Sequence, residues 1–197
     1  LLASSAFYMS GRPGDSFVIA KRLQNHPLDE ADDLATAIRW VLDGAWRTFT
    51  PLDGSTLPGR LLAALDWHFF DGSTEDVVEL VGSLHGWAYA NGSAHELLLA
   101  DILGALAFLR VERSAWSLLP GYSQLDMALW SSYLLRPDAV QEMWPSQQML
   151  GVAGLYAGES AVVQMPTSAG KTRATELVIR AAFLSKRTSL AIIVAPF

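Results

Sequence analysis

The chain has 197 residues, of which 51% are hydrophobic and 17% are charged, and it contains no cysteine. This composition is typical of folded globular proteins and excludes a solvated disordered chain, disulfide frameworks, thiolate zinc sites and cysteine nucleophiles. The net charge of −6 is unevenly spread, since residues 1–145 hold 9 Lys/Arg and 18 Asp/Glu whereas residues 146–197 hold 5 and 2. We therefore expect two regions, a larger acidic one and a smaller basic one.

Helical periodicity runs through the acidic region. Over residues 29–49, apolar side chains recur three and four positions apart, which predicts an amphipathic helix. Ser73 with Asp76, and Ser93 with Glu96, have the Ser-x-x-acid spacing of a capping box, and an apolar stripe follows each pair. Each pair therefore predicts the start of a further helix.

Turn residues separate the predicted helices. Breaks are expected at 11–13, 50–58, 91–92, 120–121 and 136–137, where glycine, proline or asparagine occurs. We predict that residues 1–140 form a mainly α-helical accessory region, either as stacked antiparallel helix pairs or as an irregular helical domain.

All seven tryptophans lie in the acidic region. Aromatic platforms for nucleic-acid bases lie in positively charged grooves, so we predict instead that these side chains pack in the helical core. The histidines are scattered, and His95-Glu96 lacks the second histidine at position 99 that a zinc-protease helix has. We interpret the histidines as surface or structural residues.

No segment has the length of a membrane-spanning helix. The longest apolar stretch, residues 97–109, contains Asp101 and falls short of the roughly 20 apolar residues required. The N-terminal residues have neither an initiating Met nor a basic leader. We expect a cytoplasmic fragment of a longer protein, with no membrane partner.

Residues 141–197 show a strand, loop and helix pattern. A β-branched run at residues 160–165 precedes the loop, a helical stripe covers residues 174–184, and a uniformly apolar run follows at residues 189–195. The loop consists of Pro166, Thr167, Ser168, Ala169, Gly170, Lys171 and Thr172. The pattern predicts a βαβ unit, the start of an α/β P-loop NTPase domain.

A loop of this kind binds phosphates through backbone N–H groups and the positive end of the following helix. Gly170 would let the backbone approach the ligand, Lys171 would lie between the β- and γ-phosphates, and the Thr172 hydroxyl would be a Mg²⁺ ligand. Met165 stands where the general pattern has its first glycine.

The string from Trp144 to Gln148, the strand VVQM, the loop PTSAGKT and the strand ending in Val194-Ala195-Pro196 together resemble a known family. They resemble the start of the first RecA-like domain of superfamily 2 helicases, of the DEAD/DEAH-box (Ski-like) kind, over roughly residues 144–197. Some members of that family also have Met at the first loop position.

The resemblance implies ATP and Mg²⁺ as cofactors and single- or double-stranded DNA or RNA as a partner of the motor domain. In that family, a glutamine about two dozen residues before the loop lysine recognises the adenine base. Gln147 lies 24 residues before Lys171, and its neighbour Gln148 is the alternative.

We therefore expect the N-terminal part of an ATP-dependent helicase or translocase, inactive as this fragment alone, whose helical region contacts a protein partner. One alternative is a helical interaction module with a vestigial or structural loop, and another is a different P-loop NTPase. A role in phage defence is a family-level association only.

Overall fold

A computed structural model of the chain describes residues 1–23, 32–44, 46, 50–166 and 169–194. Within these ranges the chain forms ten α-helices and no β-strand. It divides into two compact units, Leu1–Glu112 and Arg113–Phe197. The predicted border between residues 140 and 141 separates a helical accessory region from a motor domain, which is a different kind of division. It stays a prediction.

The described part of unit 1 contains six helices. Helices that follow one another along the chain pack together, and the third also packs against the sixth. The six helices are α1 (Leu2–Met9), α2 (Pro13–Leu23), α3 (Asp33–Asp43), α4 (Leu57–Asp71), α5 (Glu75–Asn91) and α6 (Ala94–Glu112). Short turns join α4 to α5 and α5 to α6, and the helices of each pair pack together, so each pair is antiparallel. Gly72 ends α4 with a φ of 86°, a left-handed conformation that glycine adopts without steric cost.

The capping box predicted at Ser93 and Glu96 is confirmed. The backbone N–H of Ser93 donates to the Glu96 carboxylate at 2.7 Å, and the N–H of Glu96 donates to the Ser93 hydroxyl at 3.3 Å. These two bonds satisfy N–H groups that have no acceptor inside α6. They also lower the pKa of Glu96.

The capping box predicted at Ser73 and Asp76 is wrong. Helix α5 begins one residue later, with Thr74 as its N-cap. The N–H of Ser73 instead donates to the Asp71 carboxylate at 2.8 Å, and its carbonyl lies 2.9 Å from Nδ1 of His68. Ser73 is thus held in the turn that ends α4 and cannot serve α5.

The core of unit 1 is formed by the buried apolar faces of α3 to α6, together with Tyr8 of α1 and Ala20 of α2. Leucine is the most frequent residue of this core, followed by the smaller alanine and valine. Trp40 is 7% exposed, as expected, but Trp67 and Trp87 are 54% and 39% exposed. The prediction that all tryptophans pack in the core is therefore wrong at these two positions, where the indoles lie outside the buried stripes of α4 and α5.

His68 is fully buried in α4. Burial lowers the pKa of its imidazole below the ordinary value of 6.5, against the opposing effect of the hydrogen bond to Ser73. The unfolded chain therefore takes up a proton at a pH where the folded chain does not. The stabilising effect of a neutral His68 is complete above about pH 6.5 and is lost as the pH falls toward the lowered pKa.

We expect urea unfolding to show a free energy that falls with decreasing pH below about 6.5, by at most about 1.4 kcal/mol per pH unit from this group. In His68→Gln, that component of the slope should vanish while the remaining pH dependence persists. An unchanged slope between pH 6.5 and 5 in His68→Gln would contradict the assignment.

Unit 2 contains four helices in its described residues: α7 (Ala115–Ser123), α8 (Met127–Leu134), α9 (Pro145–Val152) and α10 (Lys171–Leu184). Helix α7 packs against α8 and α9, and α9 packs against α10. The indole of Trp130 is fully buried and donates to the Ser123 hydroxyl at 3.0 Å. This bond satisfies a polar group in the core between α7 and α8.

The break predicted at residues 120–121 is wrong, since Pro120 lies inside α7. The Ser114 hydroxyl accepts from the N–H of Ser117 at 3.1 Å, and Trp116 and Leu119 are buried. The cap at Ser114 and the packing of the turn before the proline thus outweigh its local cost to the helix.

The predicted α/β start of a RecA-like domain is also wrong, because the described residues of unit 2 form four α-helices and no strand. Val162 is fully exposed, and Ile192 and Val194 are 80% and 90% exposed. Strands of a parallel sheet need hydrogen-bonded neighbours and cover on both faces. Neither apolar run has these among the described residues, and Ala195 lies outside them.

Candidate functional site

The loop singled out by the sequence leads directly into α10. Gly170 is the N-cap of this helix, with a φ of 80°, and Lys171 is the first helical residue. A Cβ on Gly170 would lie 2.6 Å from Nε2 of Gln147. Glycine is therefore required here both by the left-handed backbone and by the closeness of the glutamine amide.

The start of α10 offers backbone donors to a ligand. The N–H of Ala174 is bonded to the Gly170 carbonyl at 2.9 Å, which leaves the N–H groups of Lys171, Thr172 and Arg173 without acceptors inside the helix. The side chains of all three residues are exposed. Backbone donors and the helix dipole together favour an anion at this end of the helix.

The basic side chains of α10 differ in whether they form ion pairs within the chain. Arg173 donates to Glu176 at 2.9 Å and Arg180 donates to the same carboxylate at 3.1 Å. Burial opposes ionisation of Glu176, but these hydrogen bonds hold its pKa below the ordinary value. No hydrogen bond or ion pair within the described residues engages Nζ of Lys171. Lys171 is therefore the cation at this helix start that a ligand can recruit.

Two side chains of α9 hold the loop. The Ser146 hydroxyl donates to the Ala169 carbonyl at 2.7 Å, and Nε2 of Gln147 lies 3.4 Å from the Gly170 carbonyl. The structure thus brings together Gln147 and the loop, which are 23 residues apart. Sequence reasoning missed Ser146, although its position beside Gln147 on the same short helix was a signal.

Gln147 is only 3% exposed. Its Oε1 accepts from the N–H of Trp144 at 2.9 Å, and the hydroxyl of the buried Tyr156 donates to its backbone carbonyl at 2.9 Å. Gln148 lies elsewhere, donating to the Met143 carbonyl at 2.7 Å. Of the two glutamines, Gln147 is therefore the one that contacts the loop. To hydrogen-bond to an adenine base, its side-chain amide would have to give up its bond to Trp144 or to Gly170. Its role as adenine reader stays a prediction.

A cavity of about 260 Å³ lies beside the loop. Its lining is mainly apolar, with Lys171 at one side: Leu150, Leu155, Val163, Met165, Lys171, Ala174, Thr175 and Val178. Pockets that enclose a drug-sized ligand measure about 300–1,000 Å³, so this one is too small for a nucleotide. Met165 lines this cavity together with Lys171, the first residue of α10.

Part of the predicted site lies outside the described residues, namely Thr167 and Ser168. Pro166 is described and exposed, and its carbonyl accepts from the N–H of Ala169 at 3.3 Å. Among the described residues, no group of three or more His, Cys, Asp or Glu side chains is placed to hold a metal ion. The role of Thr172 as a magnesium ligand beside bound phosphate stays a prediction.

Comparison with known proteins provides no relative: no protein-family model matches the chain, and no match is found among curated proteins or among solved structures. Over the part of the chain that the structure describes, no helix has the length and apolar character needed to cross a membrane.

Proposed function

We propose that residues 166–172 bind the phosphates of ATP together with Mg²⁺, and that the protein acts in the cytoplasm as part of an ATP-dependent nucleic-acid helicase or translocase. The observation that carries the proposal is the junction of loop and helix. Gly170 has a positive φ at the N-cap, and the exposed Lys171 begins a 14-residue helix whose first N–H groups have no helical acceptor. These features suit a polyphosphate.

Each residue has a distinct role in this proposal. Lys171 attracts the β- and γ-phosphates, Thr172 supplies a hydroxyl to the magnesium ion that accompanies them, and Gly170 keeps the backbone close. Ser146 positions the loop through the Ala169 carbonyl. When bound, Mg²⁺ neutralises phosphate charge and helps to orient the nucleotide.

The proposal does not use an α/β sheet, which the described residues do not form. Phosphate binding rests on the helix start, whereas the helicase activity and the nucleic-acid partner rest on the likeness of PTSAGKT and the Gln147 element to superfamily 2 helicases. These two parts of the proposal are therefore tested separately.

A second candidate is a helical interaction module in which the loop is structural. The hydrogen bonds from α9 to the loop carbonyls favour it, because they bind Ala169 and Gly170 to their own chain without any ligand. This candidate predicts no nucleotide binding.

Titration of the chain with a fluorescent ATP analogue, with Mg²⁺ or with EDTA, distinguishes the two. We expect binding that is tighter with Mg²⁺, and we expect Thr172→Ala to lose most of the magnesium effect. Thr175→Ala is the matched control. It also removes a threonine hydroxyl from α10, but this hydroxyl donates to the Lys171 carbonyl at 3.0 Å and is not expected to bind magnesium. Absence of binding at millimolar nucleotide would favour the structural module, and equal competition by GTP would contradict adenine reading.

A further inference from the structure

An open groove runs between α4 and α5 in unit 1. Its volume is about 450 Å³, and its lining combines apolar and charged side chains: Gly54, Arg60, Ala63, Ala64, Trp67, Asp76, Glu79 and Leu80. The groove lies wholly within unit 1 and uses no residue of the ATP proposal.

One exposed aromatic side chain lines this groove, and a second lies next to it on the same helix. Trp67 is 54% exposed and lines it, and Phe70 on the same helix is 48% exposed, with the two ring centroids 5.1 Å apart. A paired, exposed tryptophan and phenylalanine present a large rigid apolar surface to water. Aromatic side chains of this kind dominate the binding energy of protein interfaces.

The same two helices carry excess negative charge. Residues 57–91 contain five Asp/Glu and one Lys/Arg, Arg60. Asp76 and Glu79 line the groove, and no hydrogen bond or ion pair joins either side chain to another described residue. Two unpaired carboxylates beside exposed aromatic rings are complementary to a ligand that is both apolar and cationic.

We propose that this groove binds a basic amphipathic helix of a partner protein. A groove between two antiparallel helices accommodates a third helix, which places its apolar side chains on Trp67, Phe70 and Leu80. Lysine or arginine side chains flanking that apolar stripe reach Asp76 and Glu79. Nucleic acid is not the occupant, because the carboxylates would repel its phosphates.

The probe for the test is a synthetic leucine–lysine amphipathic peptide of about four helical turns, labelled with fluorescein. Its affinity for the 197-residue chain is measured by anisotropy. We expect Trp67→Ala and Phe70→Ala each to weaken binding about tenfold or more. Asp76→Asn combined with Glu79→Gln should weaken it severalfold at low salt and reduce its salt dependence.

Matched controls separate this groove from general attraction to an acidic protein. Tyr89→Ala removes an aromatic side chain of α5 that is 84% exposed and lies outside the groove. Asp101→Asn with Glu112→Gln removes the same charge from α6. Both controls should bind the probe like wild type, and all variants should keep the wild-type circular dichroism spectrum.

Three results would overturn the proposal. One is equal binding of a peptide in which every lysine is replaced by glutamate, and another is equal weakening by the control variants. The third is self-association of the chain that Trp67→Ala abolishes in sedimentation equilibrium, since a second copy would then occupy the groove.

Discussion

Lys171→Ala should weaken binding of Mg²⁺-ATP to the chain by about ten- to a hundredfold, because a charged hydrogen bond to phosphate contributes about 1.5–3 kcal/mol. If turnover is measured in a longer protein that hydrolyses ATP, the loss should reach about a hundredfold or more, since the ammonium also stabilises charge on the transferred group. Folding should be unaffected, because the side chain is exposed at the start of α10. Isothermal titration and circular dichroism check the two expectations.

Lys186→Asn is the matched control for this variant. Lys186 also belongs to unit 2, lies beyond the end of α10 and has a φ of 57°, which asparagine tolerates. The Lys186→Asn variant removes one positive charge, as Lys171→Ala does, but leaves the start of α10 unchanged. Its nucleotide affinity should therefore remain near that of wild type. Equal weakening by both variants would mean diffuse electrostatic attraction, and unchanged affinity in Lys171→Ala would place the phosphates elsewhere.

Local chemistry explains which helix boundaries were predictable from the sequence. Ser93 and Glu96 satisfy each other's backbone across one turn, so the pattern alone is sufficient to predict this start. Ser73 has the same spacing to Asp76, but its backbone N–H donates to the carboxylate of Asp71 in the preceding helix. The spacing to Asp76 does not reveal this competing acceptor.

The strand predictions failed for a different reason. An apolar β-branched run predicts a strand only if another segment supplies hydrogen bonds and cover. Val162 and Ile192 remain exposed, so their runs have no such cover among the described residues. Sequence composition indicates what a segment prefers, whereas the presence of a neighbour is a property of the folded chain.

The candidate site was predictable in part. The pairing of Gln147 with the loop followed from a family likeness, and the structure places its amide beside Gly170. The burial of that amide was not foreseeable, because it depends on Trp144 and on the way α9 packs against α10. That a helix follows the loop was predictable from the apolar stripe at residues 174–184, and α10 begins at Lys171.

Arg110→Ala should cause the largest loss of stability in unit 1, about 3 kcal/mol or more in urea unfolding. The guanidinium is 7% exposed, and its Nη2 donates to the carbonyls of Val41 and Leu42 at 2.7 and 3.0 Å. It also lies 4.4 Å from the ring centroid of Tyr8 and 5.5 Å from that of Trp46. One cation thus joins α6 to α1 and to the last carbonyls of α3, where positive charge is favoured.

The reason for so large an effect is that truncation leaves polar groups behind. The carbonyls of Val41 and Leu42 would lose a charged donor, and the space between Tyr8 and Trp46 would be left empty. Arg110→Met keeps the aliphatic volume but lacks the donors, so it should recover only part of the loss. Full recovery would mean that packing alone is responsible.

Arg22→Ala provides the comparison for a surface arginine. It lies exposed in the last turn of α2, and surface substitutions usually change stability by no more than about 0.5 kcal/mol. A loss in Arg110→Ala no larger than in Arg22→Ala would show that the carbonyls of α3 find other donors. The expected difference instead follows from desolvation, because water reaches the side chain at Arg22 but is excluded from the one at Arg110.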